Sequence, residues 1–256
     1  MTPDTLTFAL RNKMTLEIQS TFPNVDKFAA RGWYEAKTGK LLASRIKPGD
    51  RCLDIGANVG YFSLIMADLV GPAGKVTAFE PDTDNLRLMA ANIARNDMAG
   101  RMSIHPVALG NSTGEAFLYL SDTNPGDHKT FLPSNEARRR YAIRMACLDD
   151  MRDEVGDFSV VKMDVQGFEG FVLDGGRFLF NEQPRVTMIT EFCPRDLRNS
   201  GYGDTRMVDR LEEMGFSMAI IGHGKPCPVT PNELRIKVKG TKGKAFFQLL
   251  CIKAAA

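Results

Sequence analysis

Residues 51–62, RCLDIGANVGYF, constrain this chain more than any other stretch. A short apolar run (Cys52, Leu53, Ile55), interrupted by Asp54, breaks into Gly56-Ala57-Asn58-Val59-Gly60. An apolar helical pattern follows at once through Tyr61, Phe62, Leu64, Ile65 and Leu69. The reading is strand, glycine turn, helix. Gly56 and Gly60 let the backbone turn tightly and approach a ligand closely. The helix that follows offers unpaired N–H groups and the positive end of its dipole to an electron-rich ligand. Asp54, at the strand end, is placed to accept hydrogen bonds from an ammonium group or a backbone N–H.

A second acid sharpens this reading. Residues 75–81, KVTAFEP, make another short strand that ends in Glu80. An acid roughly 20 residues or slightly more beyond a glycine loop is placed to hold both hydroxyls of an adenosine ribose. The glycine pattern is D-x-G-x-x-x-G, not G-x-G-x-x-G, and no pyrophosphate cradle is evident. The pair of signals favours S-adenosylmethionine (SAM), a nucleoside cofactor without phosphates, over NAD.

At 256 residues the chain is long enough for one large domain with decorations. Hydrophobic content of 43% and charged content of 25% are those of an ordinary soluble globular protein, and the formal charge of +2 is too small to suggest a nucleic-acid or membrane partner. Five scattered cysteines never fall in C-x-x-C spacing. Cys52 and Cys251 sit in apolar strand-like runs, so they read as reduced core residues of a cytoplasmic protein. Neither a signal peptide nor a membrane span is expected, because no basic start precedes an apolar core and no apolar run approaches ~18 residues. Residues 254–256, AAA, read as a tail.

Taken in order, residues 1–48 form an N-terminal cap or decoration ahead of a SAM-binding domain at 49–256. Within the cap, Phe8, Leu10, Met14, Leu16 and Ile18 fit strand or helix, the single Trp33 reads as a core anchor, and a short helix covers 35–45. Pro81-Asp82-Thr83-Asp84 offers capping oxygens to a helix with an apolar face at Leu86, Leu88, Met89 and Ile93. A third strand at 102–106 leads into Val107-Ala108-Leu109-Gly110, where an adenine ring is expected, and Pro81 and Ala108 join the cofactor-binding set. Two strands at 116–120 and 141–148 without a helix between them suggest a hairpin-like insertion over about 114–148, beside the cleft. The alternation resumes with buried strands at 158–163, ending at Asp164, and 186–190, ending at Glu191. A helix at 205–214 precedes two last strands, 216–221 and 245–252. A Gly/Pro/Lys-rich loop without a helix joins that pair, which is expected to run antiparallel. The fold expected is α/β, a doubly wound Rossmann-like sheet of central order 3-2-1-4-5, extended by the terminal pair.

These motifs resemble the class I SAM-dependent methyltransferases and, more closely, the FkbM family. The resemblance rests on LDIGANVGYFSL at 53–64, AFEPD at 78–82, HPVALGN at 105–111 and KMDVQGFEG at 162–170. It implies that Asp54, Gly56, Asn58 and Gly60 line the methionine end of SAM and that Glu80 holds the ribose. The family usually has Glu where this chain has Gln166, which removes one carboxylate. Family members methylate hydroxyls of secondary metabolites and sugars, so the expected reaction is O-methylation of a small molecule or sugar.

For the chemistry itself, Asp54, Asp164 and Glu191 are expected side by side at one edge of the cleft, since strands one, four and five are neighbours. Asp164 either holds the SAM ammonium or binds the acceptor. His128, on the insertion loop, is expected as base or acceptor-orienting group, because only histidine titrates near neutrality unperturbed. Asp164 and Glu191 could place a hard divalent cation, as related macrolide sugar methyltransferases do near such positions. The usual adjacent acid pair is missing, Glu191 being followed by Phe192, and no metal is expected. Arg138, Arg139, Arg140 and Arg144 either bind an acidic substrate or form a solvated face. Acceptors in nucleic acid are disfavoured, since the fourth strand lacks an N-P-P-Y-like run or a Pro-Cys nucleophile. A non-catalytic SAM- or nucleotide-binding module remains the alternative. It needs the same Asp54/Gly56/Gly60/Glu80 set.

Overall fold

The computed structural model describes residues 4–10, 13–22, 25–32, 34–134, 136–222, 224–241, 243 and 245–254. Trp33, His223 and the last two residues of the tail lie outside the described residues. The chain starts with an antiparallel hairpin of β1 (Thr5–Ala9) and β2 (Thr15–Gln19), followed by α1 (Val25–Arg31) and α2 (Ala36–Arg45). A strand–helix alternation then runs through β3 (Arg51–Ile55), α3 (Tyr61–Val70), β4 (Lys75–Phe79), α4 (Thr83–Arg95) and β5 (Met102–His105). Strands β6 (Ala108–Leu109), β7 (Gly114–Tyr119) and β8 (Arg140–Ala146) form a separate sheet of order β6-β8-β7. The alternation resumes with α5 (Arg152–Val155), β9 (Val160–Met163), α6 (Glu169–Gly175), α7 (Arg177–Glu182), β10 (Val186–Phe192), α8 (Pro194–Asn199) and α9 (Asp204–Glu213). It closes with β11 (Ser217–Ile221), β12 (Cys227–Val229), α10 (Pro231–Lys239) and β13 (Phe247–Lys253).

The main sheet has the order β12-β11-β13-β10-β9-β3-β4-β5. From β5 through β4, β3 and β9 to β10 every pairing is parallel, the expected 3-2-1-4-5 arrangement. The terminal pair is antiparallel as expected, with β13 inserted between β10 and β11 and antiparallel to both. Each central strand is buried on both faces, and its period of two deals residues to opposite cores. Leu53, Ile55, Val161, Met163, Met188, Leu249 and Cys251 pack on one side, while Cys52, Val160, Ile189 and Leu250 pack on the other. Helices α6, α9 and α10 cover the first face, and α3 and α4 cover the second. Among the described residues no helix is long and apolar enough to cross a membrane.

One expectation for the last segment is overturned. The connection between β11 and β13 contains both β12 and the nine-residue helix α10. Its start carries a capping box: the Thr230 hydroxyl accepts from Glu233 N–H at 3.3 Å, and the Glu233 carboxylate accepts from Thr230 N–H at 2.8 Å. Pro231 occupies the first turn, and Leu234 and Val238 bury one side, i to i+4. The Gly and Lys residues beyond position 239 obscured this signal.

The N-terminal hairpin is docked by two asparagines of α4. Asn92 accepts from Glu17 N–H (2.7 Å) and donates to Glu17 C=O (2.9 Å), and Asn96 does the same to Thr15 at 2.8 and 2.7 Å. Spaced i, i+4, the two amides fall on one helix face and match every second residue of the strand edge. They satisfy backbone groups that an open edge leaves unpaired. This fixes the segment from β2 to α2 over the carboxyl ends of the main strands.

Candidate active site

The cleft opens at the carboxyl ends of β3, β4, β9 and β10, where strand order reverses between β3 and β9. Gly56 lies in its wall with φ of +77°, and a Cβ there would sit 2.0 Å from the backbone oxygen of Asp164. Gly60, at φ +86°, caps α3, and a Cβ there would lie 2.9 Å from Met89 Cγ. The absent side chains thus make room for protein, and the part of the loop that lines the cleft is Gly56, Ala57, Asn58 and Val59. Asn58 has φ of +52°, its N–H donates to Glu80 Oε2 (2.8 Å), and its amide donates to the Pro125 carbonyl (3.2 Å).

Glu80, Pro81 and Ala108 line the same cleft. Glu80 also accepts from Asp82 N–H at 2.9 Å, which fixes its carboxyl at the mouth of β4. Burial, opposed by these backbone hydrogen bonds, pushes it up to about 7. Asp54 is different. It is fully buried, faces α3 instead of the cleft, and accepts from the Ser63 hydroxyl at 2.5 Å, while its Oδ1 has no partner. Burial raises it, and the charge of Lys162 and the Ser63 hydroxyl offset only part of the rise. The expectation that Asp54, Asp164 and Glu191 emerge side by side is therefore corrected. Asp54 pairs in register with Lys162, two residues ahead of the row of Asp164, so it lies one rung deeper on the same face of the sheet, where Ser63 of α3 covers it.

Asp164 and Glu191 do converge, at the ends of adjacent strands β9 and β10. The Gln166 amide joins them, donating to Asp164 Oδ1 at 2.7 Å and to Glu191 Oε2 at 3.0 Å. Burial alone would raise Asp164, but the Lys162 charge and hydrogen bonds from Glu191, Gln166 and Lys162 outweigh it and hold Asp164 low. Burial and the neighbouring Asp164 charge push Glu191 well above its ordinary value. The two carboxyls are thus driven in opposite directions, Asp164 toward its ionised form and Glu191 toward its protonated one. Lys162 Nζ lies 3.4 Å from Asp164 Oδ2, over the Phe62 ring. Gln166 itself is left-handed (φ +54°), and its turn is pinned by Glu169, which accepts from Val165 N–H (3.0 Å) and Gly167 N–H (3.0 Å). Burial raises Glu169 to about 7.

The insertion loop does not deliver the expected base. His128 lines the cleft, but its Nδ1 accepts from Ser121 N–H at 3.0 Å. The neutral ring then carries its proton on Nε2, 3.8 Å from Asp82 Oδ2, and has no free lone pair. Burial keeps it neutral by lowering its pKa, against the pull of Asp82. Asp82 follows β4, two to three strand spacings (roughly 10–14 Å) from the acid pair after β9 and β10. Its neighbour Lys129, unremarked in sequence, is almost fully buried. Lys129 Nζ contacts Asp196 Oδ2 (2.8 Å), Asp127 Oδ1 (3.1 Å) and the Gln166 carbonyl (3.2 Å), tying the loop to the floor. Arg138 pairs with Asp127 and Glu136, Arg139 with Asp122, Arg140 stacks on Phe117, and none of these, nor the exposed Arg144, lines the cleft.

Four carboxyl side chains line the cleft (Glu35, Glu80, Asp164, Glu191). Among the described residues its basic lining side chains are Lys162, paired to Asp164, and the neutral His128. That lining suits a cofactor cationic at sulfur and amine and offers nothing for a pyrophosphate. No group of three His, Cys, Asp or Glu among the described residues is arranged to hold a metal ion.

The fold has close company. A Thermotoga maritima SAM-dependent O-methyltransferase superposes with a TM-score of 0.50 at 12% identity, over 100% of this chain and 95% of that one. A Streptococcus mutans protein crystallised with S-adenosylhomocysteine (SAH) gives 0.51 at 7% identity, over 84% and 95%. Likeness at such identities concerns the fold alone. In sequence, the chain is 40% identical over 57 residues to the 31-O-demethyl-FK506 methyltransferase FkbM of Streptomyces tacrolimicus, a stretch that covers only 22% of either protein. The methyltransferase FkbM domain matches residues 54–218, from the buried Asp54 through the glycine loop, Glu80 and the acid pair into β11. This chain belongs to the FkbM methyltransferase domain family.

Proposed function

We propose that the chain is a SAM-dependent methyltransferase that acts on a hydroxyl of a small molecule or sugar. The observation that carries this is the cleft's lining: the buried Glu80 carboxyl at one end, the Asp164–Glu191 pair bridged by Gln166 at the other, and among the described residues no unpaired lysine or arginine between. SAM, when bound, supplies a methyl group on a sulfonium, whose displacement leaves the neutral thioether SAH. Glu80 would accept from the ribose hydroxyls, and Ala57, Asn58 and Val59 would face the ligand from the glycine loop. Ionised Asp164 would accept the hydrogen bond of the acceptor hydroxyl, orient its oxygen and take its proton as the oxygen is alkylated. Glu191, held by Gln166, would keep Asp164 in place.

Calorimetry should show SAH binding in the micromolar range, roughly −8 kcal/mol, and no NAD binding. A screen with methyl-labelled SAM would then find the acceptor, and with it Asp164→Asn should lower turnover about 10²-fold. An Asp164→Asn enzyme of unchanged turnover would remove this carboxylate from the chemistry. SAH binding without transfer to any acceptor would favour the non-catalytic module.

SAH affinity should also depend on pH through Glu80. The free carboxyl sits near 7 because it is buried, and two ribose hydroxyls need its ionised form. Binding therefore tightens as pH rises toward 7, by up to about tenfold per unit, and levels off above it. Glu80→Gln should flatten that profile. A profile already flat in the parent protein would count against Glu80 as the ribose ligand.

A further inference from the structure

The far wall of the cleft comes from residues ahead of position 54, where the family match begins. Glu35 sits there with φ of +45°, a left-handed conformation that costs a non-glycine residue energy. Among the described residues five non-glycine positions have positive φ, and three of them, Glu35, Asn58 and Gln166, line this cleft. Such conformations persist where surrounding contacts over-determine them, and they gather at ligand sites. The Glu35 carboxylate is held accordingly: Oε2 accepts from the Gln248 amide at 2.6 Å, and the Thr38 hydroxyl fixes that amide by donating to Gln248 Oε1 at 2.6 Å. Tyr34 precedes Glu35, and its backbone N–H and C=O both bond the Tyr61 hydroxyl, at 3.0 and 2.9 Å. Burial raises the Tyr34 hydroxyl first, followed by the charges of Glu35, Asp164 and Glu191.

Beside this polar edge stands an aromatic wall. The Tyr34 ring lies 5.9 Å from Phe28 and 6.1 Å from Phe22. Phe22 in turn reaches the insertion loop, where a Cβ on Gly126 would stand 3.5 Å from its ring. Among the described residues the only lysine or arginine in the lining is Lys162, already held by Asp164 and raised by it.

We propose that Tyr34, Glu35 and the Phe22–Phe28 wall form the acceptor subsite. It takes a molecule with a hydrogen-bond-donating head, hydroxyl or amine, on an aromatic or hydrocarbon body, and rejects carboxylates and phosphates. The proposal rests on the methyltransferase reading. A donor head finds carboxylate acceptors at Glu35 and Asp164, and the body finds ring faces. An anionic head meets like charge without a free counter-charge, which penalises it strongly in a buried site.

The test uses the full chain loaded with SAH and ligand-observed NMR with four matched probes: benzyl alcohol, benzylamine, benzoate and benzyl phosphate. Benzyl alcohol and benzylamine are expected to bind, with the two anions at least about tenfold weaker. Glu35→Gln should shrink the gap between benzylamine and benzoate by about threefold or more. Phe28→Leu should weaken benzyl alcohol by a similar factor, which keeps the subsite testable if Glu35→Gln does not fold. Benzoate binding as well as benzyl alcohol, no binding by any probe, or unchanged preferences in both variants overturns the subsite. Loading is checked first: failure of SAH to bind defeats the methyltransferase reading as well, whereas a wrong charge order with SAH bound defeats the subsite alone.

Discussion

Gly56→Ala is expected to destabilise the protein by about 3–4 kcal/mol and to abolish measurable SAH binding. Two costs add at this position. The backbone is left-handed, and the new Cβ would stand 2.0 Å from the Asp164 carbonyl oxygen, a rigid atom of the neighbouring strand's end. Relief requires β3 and β9 to part, and that shifts Asp164, Gln166 and the cleft floor with them. Gly215→Ala is the matched control. Gly215, at the end of α9, is also left-handed (φ +78°), but nothing lies within 4 Å of where its new methyl group would stand, so only about 1 kcal/mol should be lost and SAH binding should persist. Urea unfolding and SAH calorimetry on both variants decide the matter. Equal losses in the two would mean that backbone conformation, not the close approach of β9, is what requires glycine at 56.

Lys129→Met should cost about 3 kcal/mol and free the insertion loop from the cleft floor. The ammonium is buried between two aspartates and a carbonyl, and methionine fills its volume without replacing any of its three contacts. Burial alone would lower this lysine, but the charges of Asp127 and Asp196 outweigh it and raise its pKa, so it is cationic at neutral pH. Its removal leaves the Gln166 carbonyl without its partner and Asp196 with only Arg195. Arg138 still holds Asp127, and Arg195 still holds Asp196, which keeps the loss at the low end for a broken buried pair. Urea unfolding should show the loss, and limited proteolysis should begin within residues 121–133. Adding Asp196→Asn should recover part of the stability, since it removes the stranded charge. A loss under about 1 kcal/mol with an intact loop would show that the arginines alone hold this junction.

Much of the architecture was legible because a parallel sheet has few solutions. Short apolar strands alternating with amphipathic helices, joined by a glycine turn, lead to one handed winding, and that winding sets the strand order. Residues at or just past the carboxyl ends of strands then gather at one edge without any further information, which is why Glu80, Asp164 and Glu191 could be placed in one cleft, although β10 runs on through Phe192. Asp54 could not, although it sits in the most informative motif. Its depth depends on where β3 ends, and two residues, one rung on the same face, separate a side chain at the cleft from one covered by α3. His128 was legible as a residue near the cleft but not as one whose lone pair is already taken by Ser121.

What the sequence by itself determined is the set of positions dictated by local pattern and sheet winding: the glycine loop, the strand order, and the placement of Glu80 and of the acid pair at the cleft. Only the tertiary structure decided the rest. Asn92 and Asn96 grip a strand edge 75 and 81 residues away, Lys129 reaches Asp196 across 67 residues, and Gln248 clamps Glu35 across 213. The reason is physical. A hydrogen bond between distant residues leaves no periodicity in the chain, because neither partner's neighbours need change for it to form. The acceptor wall is built from such contacts, and so it appears only once the N-terminal segment is folded over the cleft.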